Sequence, residues 1–168
     1  MKTRIIVLTL VFILLLTPFA LAGADKAVVK SIDFERQGEE ALVRITVELY
    51  SNGEGEAYLE AIANYDGKDY TTMPLRMPCS FPYQTFTFLL RKSDFRRVDF
   101  TQGIEQELPE LVEEKSVVVY VYGEKITSPE DRGTEDVKSE LARRGYALRE
   151  VLAKGTKTLK WGKQKVKS

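Results

Sequence analysis

The 168-residue chain has no histidine, one cysteine and two asparagines. Each shortage removes a class of chemistry. Without imidazole there is no Ser-His-Asp triad, no Cys-His pair and no histidine-bearing zinc site, so hydrolases that rely on a histidine base are excluded. The lone Cys79 cannot close an intrachain disulfide; it is buried, free, or bridged to another molecule. Burial is the expected state, because free cysteine behaves as a small apolar side chain, and a homodimer bridged through Cys79 is the less favoured alternative. Neither Asn52 nor Asn64 opens an Asn-x-Ser/Thr sequon, so N-glycosylation is not expected. Few asparagines and cysteines beside plentiful Lys, Arg and Glu make the composition of a heat-adapted protein.

Long apolar runs are scarce too, and the one present stands at the start. Lys2 and Arg4 precede an apolar run over residues 5–16, then Pro18 and the small-x-small pair Ala20 and Ala22. That order predicts a secretory leader cleaved after Ala22. The run is about a dozen residues, short of the roughly 20 that span a bilayer, and an uncleaved N-terminal anchor is the alternative. No lipobox cysteine follows it. The expected location is therefore outside the cell, at the envelope. Residues 23–168 suffice for one domain that buries a core without disulfide staples.

The formal net charge of zero conceals a division. Residues 154–168 hold six lysines and no acid, whereas residues 23–153 hold 17 basic and 25 acidic side chains. An acidic body thus carries a basic tail.

From residue 27 to residue 122 the hydropathy alternates with period two, interrupted by turn residues, which predicts antiparallel strands. Val28, Ile32 and Phe34 are expected on one face of a first strand. Val43, Ile45, Val47 and Leu49 line the dry face of a second, with Arg44, Thr46 and Glu48 on its wet face. Ala57, Leu59, Ala61 and Ala63 do the same for a third. Asp66-Gly67 predicts a tight hairpin turn, and Pro74 and Pro78 mark an edge or a crossing between sheets. Phe86, Phe88 and Leu90 share a face of a later strand, and residues 116–122 read as a central strand covered on both sides.

Two helices are expected. Ile104, Leu108, Leu111 and Val112 fall at helical spacing, predicting a short helix over 109–114. Val137, Leu141, Leu148 and Leu152 form a longer stripe, predicting a helix over 134–153 that packs on the sheet and ends at Gly155. The chain is thereby divided into a leader (1–22), a β-sandwich domain (23–127), a C-terminal helix (128–154) and a basic tail (155–168). The fold class is mainly β, an immunoglobulin-like antiparallel β-sandwich with a C-terminal α-helix packed on it.

The stretch over 43–70 carries an alternating strand, the turn Asn52-Gly53-Glu54-Gly55, a further strand and the Asp66-Gly67 hairpin. Over those residues the chain resembles the first half of CARDB-type immunoglobulin-like domains. The resemblance implies an adhesion-type module of a prokaryotic surface protein. It bears on fold and not on activity.

The remaining chemistry is sparse. Glu48 and Glu60 are candidates for a carboxylate pair on neighbouring strands, but their register places both on wet faces, so surface roles are expected. Asn64, Asp66 and Asp69 flank a hairpin and supply too few oxygens for calcium. Neither a catalytic residue, a cofactor nor a metal site is therefore predicted. Phe81, Tyr83, Phe86, Phe88, Phe95 and Phe100 read as core and crossover packing, with any exposed subset marking a partner patch.

Only the tail offers a candidate site. Lys154, Lys157, Lys160, Lys163, Lys165 and Lys167 surround the single Trp161, a pattern suited to an anionic partner such as a membrane surface or an acidic polysaccharide. Nucleic acid ranks below these. The competing reading makes Trp161 and Leu159 part of a last strand that covers the core. The leading functional expectation is a non-catalytic envelope module that binds a protein or surface polymer; the alternative is a peripheral membrane-surface protein held by its lysine tail, and a carboxylate-dependent enzyme is a distant third.

Overall fold

Val43, Ile45, Val47 and Leu49 are all completely buried, as period-two alternation requires of a strand with one face on a core. Each such side chain contributes about 1.5–3 kcal/mol of burial. The computed structural model describes residues 23–99, 103–126 and 149–161, and the leader expected over residues 1–22 lies outside them. The strands are β1 (Ala24–Gln37), β2 (Glu40–Ser51), β3 (Gly55–Tyr65), β4 (Lys68–Thr72), β5 (Leu75–Cys79), β6 (Tyr83–Arg91), β7 (Phe95–Asp99), β8 (Ile104–Glu107), β9 (Ser116–Ile126) and β10 (Arg149–Thr158). One turn of 3-10 helix, Lys92–Asp94, separates β6 from β7.

The protein is mainly β, built as two antiparallel sheets. The smaller has the order β1-β2-β6, and the larger runs β10-β9-β3-β4-β7-β8, with β5 also pairing β3. Ile32 and Phe34 of β1, the inner row of β2 and Leu90 of β6 meet Ala57, Leu59, Ala61 and Ala63 of β3 and Val117, Val119 and Val121 of β9 in one core. A second apolar cluster, Ile62, Tyr120 and Tyr122 with Tyr58, Val118 and Val151 beside it, occupies the other face of the larger sheet. β9 is therefore buried on both sides, as its sequence predicts.

Turn chemistry sets the two ends. Gly38 at φ 62° joins β1 to β2, and Asp66 and Gly67 at φ 51° and 72° join β3 to β4, the left-handed pair that a tight hairpin needs. The opposite end carries the 52–54 and 80–82 turns and the start of β1.

Three expectations are corrected. The C-terminal helix is not found: residues 149–153 open β10, and the rest of the predicted helix lies outside the described residues. A strand wins there because β9 offers a ladder, regular from Ala153 to Thr158, with Lys154 opposite Tyr120 and Gly155 opposite Val119. Gly155 does not end a helix. It sits mid-strand where an added Cβ would lie 2.9 Å from Val29 Cγ1, so it permits close approach of β10 to β1. The short helix over 109–114 is also absent, because backbone groups of this segment and its flanks pair with neighbouring elements: the Leu108 N–H donates to the Phe95 carbonyl at 2.9 Å and the Leu159 N–H to the Lys115 carbonyl at 2.7 Å. Leu108 and Leu111 are nevertheless buried in the core. Finally, Val28 does not share a face with Ile32 and Phe34, because the register shifts between Val29 and Ser31. One extra residue in β1 reverses the alternation, turning Val29 inward and Val28 away.

Among the described residues no helix is long and apolar enough to cross a membrane.

Candidate functional site

The outward rows of the smaller sheet carry the most distinctive surface. Alternation along β2 directs Arg44, Thr46, Glu48 and Tyr50 away from the core, and β6 does the same with Tyr83, Thr85 and Thr87. The ladder sets Lys26, Tyr50 and Tyr83 side by side across three strands, and Glu48 beside Thr85 one rung further in. The two tyrosine rings stack at 5.9 Å with 29° between their planes. Lys26 Nζ lies 5.7 Å from the Tyr50 ring centre, a cation–π distance.

These rings stay open to solvent, with Tyr50 37% and Tyr83 56% exposed, and Phe81 in the preceding turn is 73% exposed. The Tyr50 hydroxyl donates to Glu48 Oε2 at 2.8 Å. That bond to a carboxylate, followed by partial burial and the Glu48 charge, raises the Tyr50 phenol above its ordinary value. Lys30 Nζ lies 3.5 Å from Glu48 Oε1, so the carboxylate is fixed from two sides. The result is an aromatic shelf bordered by a carboxylate, hydroxyls and two ammonium groups. It can bind a flat, partly apolar ligand by stacking and orient it by hydrogen bonds; it holds no activated nucleophile.

The residues singled out in the sequence are distributed differently. Lys154 and Lys157 project from β10, with Lys154 Nζ 5.3 Å from the Tyr120 ring centre, and Lys160 is exposed just beyond the strand. Trp161 is half-buried against the core: it meets Phe34 edge-on at 6.4 Å, and the Arg36 guanidinium lies 4.7 Å above its ring. Lys163, Lys165 and Lys167 lie outside the described residues. Leu159 is buried; it and Trp161 pack on the core, but just beyond β10, which ends at Thr158, and not within a last strand.

Glu48 and Glu60 are not on neighbouring strands, since β2 and β3 belong to different sheets. Nor is Glu60 on a wet face. It is fully buried and accepts a hydrogen bond from the Tyr122 hydroxyl at 3.3 Å. Asn64 Nδ2 donates to Asp69 Oδ1 at 3.0 Å, joining two of the three hairpin side chains. Among the described residues no cluster of three potential ligands could hold a metal ion.

Cys79 is buried and free. Burial pushes its thiol up, with a hydrogen bond from Ser51 acting in the opposite direction. It lines a shallow hollow of about 530 Å³ together with Glu54, Glu56, Gln84 and Glu124. Glu56 is paired with Arg76.

Of the aromatic group read as core, Phe95 is fully buried and Phe86 and Phe88 pack against the core, but Phe81 and Tyr83 do not; Phe100 lies outside the described residues. Tyr50 was legible as outward-facing from its phase with Thr46 and Glu48. Tyr83 follows Tyr50 only through the β2–β6 register, which no local pattern specifies.

No protein-family model matches the chain, and no curated protein matches it. Two solved structures show partial likeness. A β-glucosidase from Listeria innocua in complex with glucose is 16% identical over 58% of this chain and 14% of its own, with a TM-score of 0.34. A GH3 β-glucosidase from Bifidobacterium adolescentis is 14% identical over 76% of this chain and 21% of its own, with a TM-score of 0.36. The chain thus corresponds to no more than about a fifth of either enzyme.

Proposed function

We propose that the chain is an immunoglobulin-like β-sandwich acting as a non-catalytic binding module of the cell envelope, exported by its leader, and that it recognises a surface glycan. The strand order supports the fold reading: β1-β2-β6 against β10-β9-β3 follows the A-B-E and G-F-C arrangement of such sandwiches. One observation carries the functional reading, the solvent-open stack of Tyr50 and Tyr83. Large aromatic rings left in water at adjacent positions of a sheet normally mark a contact surface. A pyranose presents a flat C–H face that stacks on such rings, while its hydroxyls find Glu48 and Thr85 alongside. Lys30 offsets Glu48 and Lys26 leaves about one net positive charge, so the rings and hydroxyls, which a neutral glycan matches, supply most of the grip.

The test is retention of the purified protein on an isolated envelope fraction and on neutral polysaccharides in affinity electrophoresis. Tyr50→Ala and Tyr83→Ala are each expected to weaken binding roughly tenfold, the equivalent of about 1–1.5 kcal/mol for one stacking contact. Retention unchanged in both variants, or equal retention after periodate destroys the envelope sugars, refutes the glycan reading.

The exposed Lys154, Lys157 and Lys160 support a second reading, attachment to an anionic membrane surface. With Trp161 occupied by Phe34 and Arg36, such attachment rests on charge and is salt-sensitive. Cosedimentation with anionic vesicles that is unchanged when Lys154, Lys157 and Lys160 are replaced by alanine, or that is indifferent to salt, counts against it.

A further inference from the structure

Open strand edges usually carry a guard against pairing with another chain. β1 is interrupted by two register shifts. β10 is also interrupted twice and bears Lys154 and Lys157. β8 is four residues long and places Glu105 and Glu107 beside Arg96, and β5 contains Pro78. β6 has none of these devices. Among the described residues it pairs on one side only, with β2, and that register is unbroken from Tyr83 to Leu42's partner Arg91. Every residue before Arg91 is uncharged, and the strand contains neither proline nor glycine.

We propose that β6 is a dimerisation edge that pairs antiparallel with β6 of a second copy about a two-fold axis through Thr87. The strand is self-complementary in that register. Thr85 meets Leu89 of the partner subunit, Phe86 meets Phe88 of the partner subunit, and Tyr83 meets Arg91 of the partner subunit, a favourable ring–guanidinium pairing. Phe86 and Phe88, stacked at 6.5 Å, are on the core-facing row yet only half-buried, because among the described residues no strand lies beyond them. Beside the Phe88 end of β6 is a hollow of about 370 Å³ with Leu75 and Leu90 in its lining, and the pairing brings Phe86 of the partner subunit to its mouth.

The edge is compatible in charge with a second copy. The acidic body repels another copy over most of its surface, whereas this edge is an uncharged line that meets its own kind without repulsion. An isologous contact of this type closes on itself and does not propagate. It joins the two smaller sheets into one of six strands. Both Tyr50–Tyr83 shelves then face the same way, offset by roughly 27 Å along the strands at ~3.4 Å per residue, a spacing suited to two grips on one polymer.

The test is sedimentation equilibrium under reducing conditions, which removes any Cys79 bridge. The wild-type protein is expected to show twice the monomer mass. Thr85→Lys combined with Leu89→Lys, both at exposed positions, sets like charges opposite each other and should weaken the dimer about tenfold or more. Thr85→Glu combined with Leu89→Lys sets opposite charges across the same axis and restores it. Unfolding midpoints of both variants report that the fold is retained. A wild-type monomer at concentrations up to about 100 µM, where even micromolar pairing would be populated, overturns the proposal. So does a dimer equally strong in both charge variants.

Discussion

Alanine at Gly155 should destabilise the protein by about 1–2 kcal/mol, and the reason lies in one neighbour. The added Cβ would sit 2.9 Å from Val29 Cγ1, 3.1 Å from Val29 Cβ and 3.3 Å from Ile32 Cδ1. Val29 Cβ is one bond from the backbone, and a β-branched side chain is stiff at χ1, so relief requires β1 or β10 to move. Inserting a methyl into such a contact costs about 1–3 kcal/mol. Loss of glycine's freedom in the unfolded chain offsets about 0.4–1 kcal/mol of that. Urea unfolding measures the difference, and the thermal midpoint should fall by roughly 3 °C for each kcal/mol in a chain of this size. The decisive variant is the double one. Val29→Ala empties the space that the new methyl needs, so in Gly155→Ala/Val29→Ala the two effects should fall short of their sum by about 1 kcal/mol. A glycine terminating a helix would also resist alanine, through its left-handed backbone, but without coupling to Val29. Additive effects in the double variant, or unchanged stability in Gly155→Ala, refute the strand-packing explanation.

Other expectations follow from single contacts. Thr71 is 2% exposed and its Oγ1 has no hydrogen-bond partner, so Thr71→Val should be neutral or stabilising by up to about 1 kcal/mol in urea titration; a loss of that size would contradict an unpaired hydroxyl. Trp161 is the single tryptophan, and its packing on Phe34 predicts a fluorescence red shift that coincides with global unfolding, together with about 2 kcal/mol lost in Trp161→Ala. An emission maximum already at the water-exposed position in the native protein would refute it. Cys79 should resist iodoacetamide in the native state at pH 8 and react fully in urea. Because burial raises its folded-state value, the unfolded chain releases the thiol proton first: the contribution to stability is complete below about pH 8.5 and declines as pH rises toward the folded value. Cys79→Ala should flatten that decline, and an identical slope in the variant would assign it to other groups.

The inner rows were legible because one rule governs them. Val43, Ile45, Val47, Leu49, Ala57, Leu59, Ala61 and Ala63 alternate without interruption, and all of them are buried in the one core. Parity fails where something non-local intervenes. At Val28 the bulge one residue past Val29 shifts the phase, and nothing in the composition of β1 announces it. At Glu60 the outward phase was read correctly, but that side of the larger sheet is itself buried and Tyr122 hydrogen-bonds the carboxylate, so outward did not mean wet. The stretch after residue 148 satisfied two periods at once. Leu148 and Leu152 continue a helical stripe, while Ala153 and Gly155 fit a strand alternation, and the edge of β9 decides between them. Propensity is a weak prior beside a ladder of backbone hydrogen bonds.

The same limit explains why the aromatic shelf leaves no local signal in the sequence while the lysine tail does. Six lysines in fifteen residues are a local signal; the shelf is assembled from strands whose pairing depends on the whole fold. Tyr50 and Tyr83 are far apart in sequence and meet because β6 returns to β2. Their exposure then has a cost that selection for stability alone would remove, since a threonine at either position fits an outward strand site equally well. The shelf also lies where the acidic body is locally neutralised, with Lys26 beside Tyr50 and Lys30 beside Glu48. A surface kept aromatic, with about one net positive charge on an otherwise acidic domain, disfavours cationic partners and leaves stacking and hydroxyl contacts to carry the affinity. Best matched to it is an uncharged ligand with one flat apolar face and many hydroxyls. Replacing Lys26 and Lys30 by glutamate should therefore leave stacking intact on a neutral glycan while abolishing any binding to an anionic one. If both ligand classes lose affinity equally in that variant, the lysines contact the ligand directly and the stacking argument fails.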